Sequence, residues 1–191
     1  LNALELAALT TPPVNGVICI DKSVAEQSIQ RKAISVDESK YFDMLSAFCK
    51  SLRGSDADAA LYWAFILIEA GLDPLIIFRR MIAHSSEDVG LANSNALIMT
   101  VAAMTAYERI GMPEGALPLA HAIIYICVSP KSNSVVTAMN ATQSVCKNMP
   151  DLNVPSHLRN NNNSSLDRRK PYKYPHDYGG YVKQQYLPDS L

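Results

Sequence analysis

Glycine and proline divide residues 37–149 into six segments of helical length. A segment that starts at Asp73-Pro74 has an N-cap residue followed by proline at the first helical position, which is a strong helix start. Glycine suits the left-handed conformation that often ends a helix, and the short connections favour antiparallel neighbours. The pattern predicts an all-α fold of stacked antiparallel helical hairpins. The predicted helices span about 38–53, 56–70, 74–88, 94–110, 113–128 and 132–148, and the first ends at Gly54 with an apolar face made of Phe42, Leu45, Phe48, Cys49 and Leu52.

The second predicted helix is apolar on all sides over residues 59–68. A helix without a polar face is buried all round, either inside a domain or between subunits. The sequence leaves both alternatives open. The side chains that we expect in the core or in an oligomer interface are Tyr62, Trp63, Phe65 and Ile66.

Two regions flank the helical one, so that the predicted division is 1–35, 36–150 and 151–191. Residues 1–9 have helical spacing, residues 17–20 form a short β-like run, and Ser23 with Glu26 forms a capping box that starts a helix through about Lys32. Residues 151–191 lose helical periodicity and carry five of the nine tyrosines. They predict an extended, irregular tail that packs on the helices.

Composition excludes several classes of protein. Apolar residues make up 48% of the 191-residue chain and charged residues 18%, so the chain is not a disordered polymer. The net charge of −1 gives no whole-molecule attraction to nucleic acid. Four widely spaced cysteines predict buried thiols in a reducing compartment rather than disulfides. Neither a membrane span of about 20 apolar residues nor a signal peptide is expected. Because the chain starts with Leu1, we expect a piece of a longer protein.

Motifs for catalysis are lacking from the sequence. It contains neither G-x-x-x-x-G-K-[ST] nor G-x-G-x-x-G nor G-x-S-x-G, so we expect no catalytic centre, cofactor or metal in this chain. His84 and Glu87 could share a helical face as two metal ligands, but two ligands alone are a weak signal. Local hydrogen bonding at a helix end is the favoured alternative.

Basic residues could contact DNA or a partner protein. The candidates are Arg79, Arg80, Lys131, Arg168, Arg169 and Lys170. The last three precede the tyrosine-rich stretch, whose rings could stack on bases. A solvated loop with tyrosines packed on the helices is the favoured alternative, because the net charge is near zero.

Several multi-residue strings, in order along nearly the whole chain, resemble the replication-associated recombination protein A family (RarA, or MgsA), which is related to the eukaryotic Werner-helicase-interacting ATPase. The strings are KSLRGSDADAALYW at 50–63, AGLDP at 70–74, RR at 79–80, SEDVG at 86–90, SPKSN at 129–133, VPSHLR at 154–159 and YPHD at 174–177. Members of this family are AAA+ ATPases that are related to clamp loaders.

The resemblance implies that residues 1–35 are the remnant of the AAA+ helical lid and that 36–150 form a collar-like oligomerisation domain, most simply a homotetramer. It also implies a bacterial, cytoplasmic and nucleoid-associated parent protein that is a DNA-dependent ATPase. That parent would bind ATP and Mg²⁺, act at stalled forks in replication, recombination and repair, engage DNA ends or gaps, and work with single-strand-binding protein. The Walker motifs would lie outside this chain, which would then be no enzyme by itself. The alternative function is a DNA- or protein-docking module that acts through the basic, tyrosine-rich tail.

Overall fold

The computed structural model describes residues 7–8, 11–14, 16–29, 38–159 and 171–191. Within these ranges the structure is helical, and its one β feature is an antiparallel bridge between Val14 and Val17. The predicted all-α class is confirmed. The α-helices are α1 (Lys22–Ile29), α2 (Glu38–Arg53), α3 (Ala57–Glu69), α4 (Pro74–His84), α5 (Asn95–Ile110), α6 (Ala116–Val128) and α7 (Ser134–Asn148).

Contacts divide the chain into two compact units, Leu1–Val136 and Thr137–Leu191. In the first unit α6 contacts α2, α3, α4 and α5, so it is the central helix of the core. The core is assembled from the apolar face of each helix. Its largest fully buried side chains include Phe48, Phe78, Leu52, Leu67, Ile77, Met81, Leu119, Ile123 and Ile126.

Local sequence signals account for several helix boundaries. The Asp73 carboxylate accepts a hydrogen bond from the Leu75 N–H at 2.9 Å, and Pro74 follows at the first position, as predicted. Asp56 caps α3 in the same manner through the Ala59 N–H. The predicted capping box at Ser23 is wrong. The helix α1 already begins at Lys22, and its start is capped by Asp21, whose carboxylate accepts from the Val24 N–H at 2.9 Å.

The third predicted helix is wrong in its last turn. The α-helical hydrogen bonding of α4 ends at His84, and a π turn (Ser85–Val89) and a 3-10 turn (Gly90–Ala92) follow. This change accompanies long-range contacts of Asp88. Its side chain bonds to Arg53, and its backbone carbonyl bonds to Ser132. Gly90 has a φ of +49°, and a Cβ there would lie 3.0 Å from the Ser132 carbonyl oxygen. The fifth predicted helix also begins later than expected, at Ala116.

The predicted apolar face of α2 is partly correct. Leu45, Phe48 and Leu52 are buried, whereas Phe42 is exposed. Its ring lies edge-on to that of Tyr41, at 5.3 Å between centroids, instead of entering the core.

Residues 151–159 and 171–191 of the second unit contain two 3-10 turns, Ser156–Leu158 and Pro175–Tyr178, without an α-helix or strand. The preceding helix α7 has no buried side chain. The prediction of four buried thiols is therefore wrong for Cys146, which lies exposed on α7, and for Cys19, which lies exposed before α1. Cys127 is buried in the core, and burial raises the pKa of its thiol to about 11.

Two sequence predictions lie largely or wholly outside the described residues. Of the helix at 1–9 only Ala7 and Ala8 are described, and both are helical. The predicted end of α1 near Lys32 lies outside. Of the helices in the described part of the chain, none combines the length and the apolar character that crossing a membrane requires.

Candidate functional site

The outer side of α6 is exposed, and three of its four side chains are aliphatic. Leu117, His121, Ile124 and Val128 recur at the spacing of one helical face, and all four are exposed. Leu117 exposes 74% of its surface and Val128 71%. The opposite face of the helix supplies the core through Leu119, Ala122, Ile123, Ile126 and Cys127. We call the four exposed residues the α6 outer face.

Helix α5 contacts α6 and has a similar division. It buries Ala96, Thr100 and Ala103. Its exposed side carries three apolar side chains, Leu97, Ile98 and Val101, which we call the α5 outer face. Single exposed apolar residues are common on a monomer, but apolar faces on two contacting helices are typical of an interaction surface.

The four apolar residues predicted on α3 do not form its buried stripe. That stripe consists of the small residues Ala60 and Ala64 together with Leu67. Trp63 packs against the core at its margin and lies edge-on to Tyr62, with 5.1 Å between ring centroids. Tyr62 is 60% exposed, and Phe65 and Ile66 are half-buried. The four residues therefore flank the core and offer a further partly apolar surface.

The predicted basic contacts lie in different environments. Arg79 and Arg80 are both exposed on α4. The Lys131 ammonium group donates to the carbonyl oxygens of Ile126, Cys127 and Ser129 at 2.8–3.1 Å, and it thereby caps the end of α6. Partial burial lowers the pKa of Lys131. The cluster Arg168, Arg169 and Lys170 lies outside the described residues.

A charged cluster joins the end of α2 to the π turn after α4. The Arg53 Nε donates to the Asp88 carboxylate at 2.7 Å, and a second nitrogen of its guanidinium donates to Glu87 at 3.0 Å. The other Asp88 oxygen lies 2.5 Å from the His84 Nδ1. The hydrogen bond from Arg53 to Asp88, with the charge of Asp88, raises the pKa of Arg53. The backbone carbonyl of Asp88 accepts from the Ser132 N–H at 2.7 Å.

These contacts occupy the two residues that could have been metal ligands. His84 bonds to Asp88, four positions away, which is the local hydrogen bonding that the sequence favoured. Glu87 instead bonds to Arg53, 34 positions away in the sequence. Among the described residues there is no group of three His, Cys, Asp or Glu side chains arranged for a metal ion. The cluster links helices and presents no complete set of catalytic groups.

The outer faces of α5 and α6 were not predicted from the sequence. The signal was present, because α6 has no Asp, Glu, Lys or Arg in its 13 residues. The apolar run of α3 is more conspicuous because it contains Tyr62, Trp63 and Phe65.

Family models assign the class of protein. A model described as "AAA C-terminal domain" matches residues 1–53, and one described as "MgsA AAA+ ATPase C terminal" matches residues 54–191. The chain thus has the C-terminal region of an AAA+ ATPase. It belongs to the MgsA family, and the resemblance noted in the sequence is confirmed.

Relatives agree with the family models. The chain is 44% identical to "Replication-associated recombination protein A" of Bacillus subtilis (strain 168), with 100% of this chain and 47% of the relative covered. The protein of the same name from Haemophilus influenzae is 40% identical over 100% of this chain and 44% of the relative. "ATPase WRNIP1" of Dictyostelium discoideum is 34% identical over 91% and 21%. The chain spans less than half the length of these relatives.

Proposed function

We propose that this chain holds copies of a AAA+ ATPase together, as a homotetramer, during DNA replication, recombination and repair. The observation that carries the proposal is the α6 outer face, which is apolar and exposed although α6 is the central helix of its unit. A stable interface needs such a surface, because apolar burial is the dominant favourable term in most protein association.

Burial of the α6 outer face alone does not supply enough free energy for a stable assembly. Fully burying a Leu, Ile or Val side chain contributes about 1.5–3 kcal/mol, whereas association costs about 4–15 kcal/mol in lost freedom and ordering. Three aliphatic side chains from α6 of each copy would only just offset this cost. Burial of the α5 outer face in the same contact would supply the surplus that a lasting assembly needs.

A closed tetramer built from two-fold contacts needs more than one self-complementary surface. The α5 and α6 outer faces would provide one contact. Tyr62, Trp63, Phe65 and Ile66 on α3 are the candidates for the other. In this proposal residues 36–150 form the oligomerisation domain, residues 1–35 are the end of the AAA+ lid, and 151–191 form a tail.

The remaining properties belong to the whole protein. We place ATP and Mg²⁺ binding, and hence DNA-dependent ATP hydrolysis, in a region outside these 191 residues. Work at DNA ends or gaps with single-strand-binding protein, in the cytoplasm and at the nucleoid of a bacterium, follows from the same assignment. The support is the family membership and the names of the relatives.

The test places a charge on the α6 outer face. The fold of the isolated chain should tolerate a lysine in place of Val128, since cations are favourable at the last residue of a helix. In an interface it would bury an unpaired charge, which is costly. We expect Val128→Lys to remain helical by circular dichroism and to lose the tetramer in light scattering, with a mass no greater than twice 20.9 kDa, that of a dimer joined through α3.

Asn148→Lys is the matched control, because Asn148 is the exposed last residue of α7. It should assemble as the unmodified chain does. A Val128→Lys variant that still forms the tetramer would remove α6 from the interface, and an unmodified chain that is monomeric would remove the proposal itself.

A further inference from the structure

The tail of the second unit is folded back on itself by side-chain hydrogen bonds. The Gln184 carboxamide accepts from the Lys173 N–H at 3.1 Å and donates to the Lys173 carbonyl oxygen at 2.8 Å, as a neighbouring backbone would. It also donates to the Tyr186 hydroxyl at 2.7 Å. His157 Nε2 lies 2.7 Å from the Gln185 carbonyl oxygen, which ties a third stretch of chain to the pair. These hydrogen bonds join the stretches around 157, 173 and 184–186 into one scaffold.

A cavity of about 470 Å³ lies within this scaffold. Its walls include His157, Lys173, Lys183, Gln184 and Asp189. A cavity of this size falls in the range of small-molecule sites, about 300–1,000 Å³. The volume of the cavity suffices for one nucleotide of a nucleic-acid strand.

The two lysines of the cavity are available for a ligand. The Nζ atoms of Lys173 and Lys183 have no hydrogen-bond or ion-pair partner within the described ranges, in contrast to Lys131, whose ammonium group is fully engaged. Both lysines are exposed. Two unpaired cations against one carboxylate, that of Asp189, favour an anionic ligand.

Exposed tyrosine rings surround the same segments. Tyr181 is 79% exposed, and four further rings are about half exposed: Tyr172, Tyr174, Tyr178 and Tyr186. The hydroxyl of Tyr186 is held by Gln184, so this ring is anchored to the cavity wall.

The charge of the chain is divided unequally between the two units. Residues 137–191 contain seven lysines and arginines and four acidic residues, a net charge of +3. Residues 1–136 contain ten and fourteen, a net charge of −4, and the two values give the overall −1. The near-neutral total therefore conceals a basic segment. The low net charge of the whole chain is thus no evidence against binding of nucleic acid to the tail.

We propose that the cavity between Lys173 and Lys183 is a binding site for single-stranded nucleic acid, with the phosphates on the lysines and the bases on the exposed tyrosines. Cationic grooves flanked by aromatic rings bind single strands without sequence preference. An acidic peptide would also satisfy the lysines, but it would leave the tyrosine faces without a planar partner. This inference is independent of self-association through α5 and α6.

The test measures the anisotropy of a labelled oligothymidylate of roughly 16 nucleotides, a length that spans such sites, on the whole chain over a range of salt concentrations. A Lys173→Gln/Lys183→Gln variant removes two phosphate contacts. At about 0.7 per contact, the slope of log affinity against log salt should become shallower by about 1.4, and the affinity at 0.1 M salt should fall about 25-fold. Lys50→Gln, an exposed lysine of α2, is the control and should change neither value.

The aromatic contribution is tested at Tyr181. Tyr181→Ala should weaken binding roughly 5- to 150-fold, the range for loss of one stacked base, whereas Tyr181→Phe keeps the ring and should bind normally. The proposal is overturned if the unmodified chain does not bind the oligonucleotide, or if the double lysine variant binds as tightly as the Lys50 control. Competition by polyglutamate as strong as that by unlabelled oligothymidylate would also overturn it, since it would identify an acidic peptide as the occupant.

Discussion

Replacing Leu117 by alanine is expected to weaken self-association about 300-fold and to leave the fold intact. The change removes three carbon groups, each worth about 0.8 kcal/mol when buried. Since 74% of Leu117 is exposed in the isolated chain, the part that an interface could newly bury is worth about 1.8 kcal/mol. A two-fold contact contains the residue twice, so the loss is about 3.5 kcal/mol, which is about 300-fold in the dissociation constant.

Leu91 provides a matched control for this experiment. It is also 74% exposed, but it lies in the 3-10 turn before α5 and is not part of the α6 outer face. Leu91→Ala deletes the same groups at the same exposure, so it should leave the dissociation constant unchanged. Leu119→Ala is the second comparison, since Leu119 is fully buried on the same helix. It should lower the free energy of unfolding by about 2–5 kcal/mol.

Sedimentation equilibrium gives the dissociation constants, and urea denaturation gives the free energies of unfolding. For Leu117→Ala the free energy of unfolding, extrapolated to the monomer, should change by no more than about 0.5 kcal/mol. The reasoning is refuted if Leu117→Ala and Leu91→Ala have the same dissociation constant, because position on α6 would then have no effect.

Three further predictions concern the first unit and the thiols. Asp88→Asn should lower the free energy of unfolding by about 1.5–3 kcal/mol in urea, because it weakens the charge-assisted hydrogen bonds of the buried Asp88 with half-exposed Arg53 and buried His84; a loss below about 1 kcal/mol would show that the cluster does not stabilise the fold. Trp63→Ala should cost less than the ~3–5 kcal/mol of a fully buried tryptophan, since Trp63 is only half-buried, and a cost in that range would place it in the core. Cys146 should react with Ellman's reagent at pH 8 within the mixing time. Cys127 should react only on unfolding, because it is buried and its pKa of about 11 leaves little thiolate; labelling of Cys127 in the native chain, detected by mass spectrometry, would contradict this.

Helix existence was predictable from the sequence because it depends on local chemistry. Gly71 and Gly111 follow helices with positive φ values, which their own backbone freedom allows, and Asp73-Pro74 starts a helix through neighbouring atoms. At the end of α2 the positive φ lies on Ser55 instead of on Gly54. The π turn after α4 was not predictable, since it accompanies contacts of Asp88 with Arg53 and Ser132, which are 35 and 44 positions away in the sequence. The observed cap, Asp21, lies only two residues before the predicted cap, Ser23, which is within the usual uncertainty of a helix end.

The candidate surface was harder to predict than the fold. An apolar helix can be identified from its composition, but the side that faces the core depends on which helices pack against it. On α3 the buried side proved to be Ala60, Ala64 and Leu67, whereas the sequence drew attention to its larger side chains. On α6 both sides are apolar, and only the structure separates the buried Ile123 from the exposed Leu117.

The most direct test of self-association is the solution mass of the unmodified chain, measured by light scattering across a series of concentrations. We expect a mass near four times 20.9 kDa at tens of micromolar, with dissociation on dilution. A mass of 20.9 kDa at every concentration would contradict the account, because the outer faces of α5 and α6 would then remain exposed in solution.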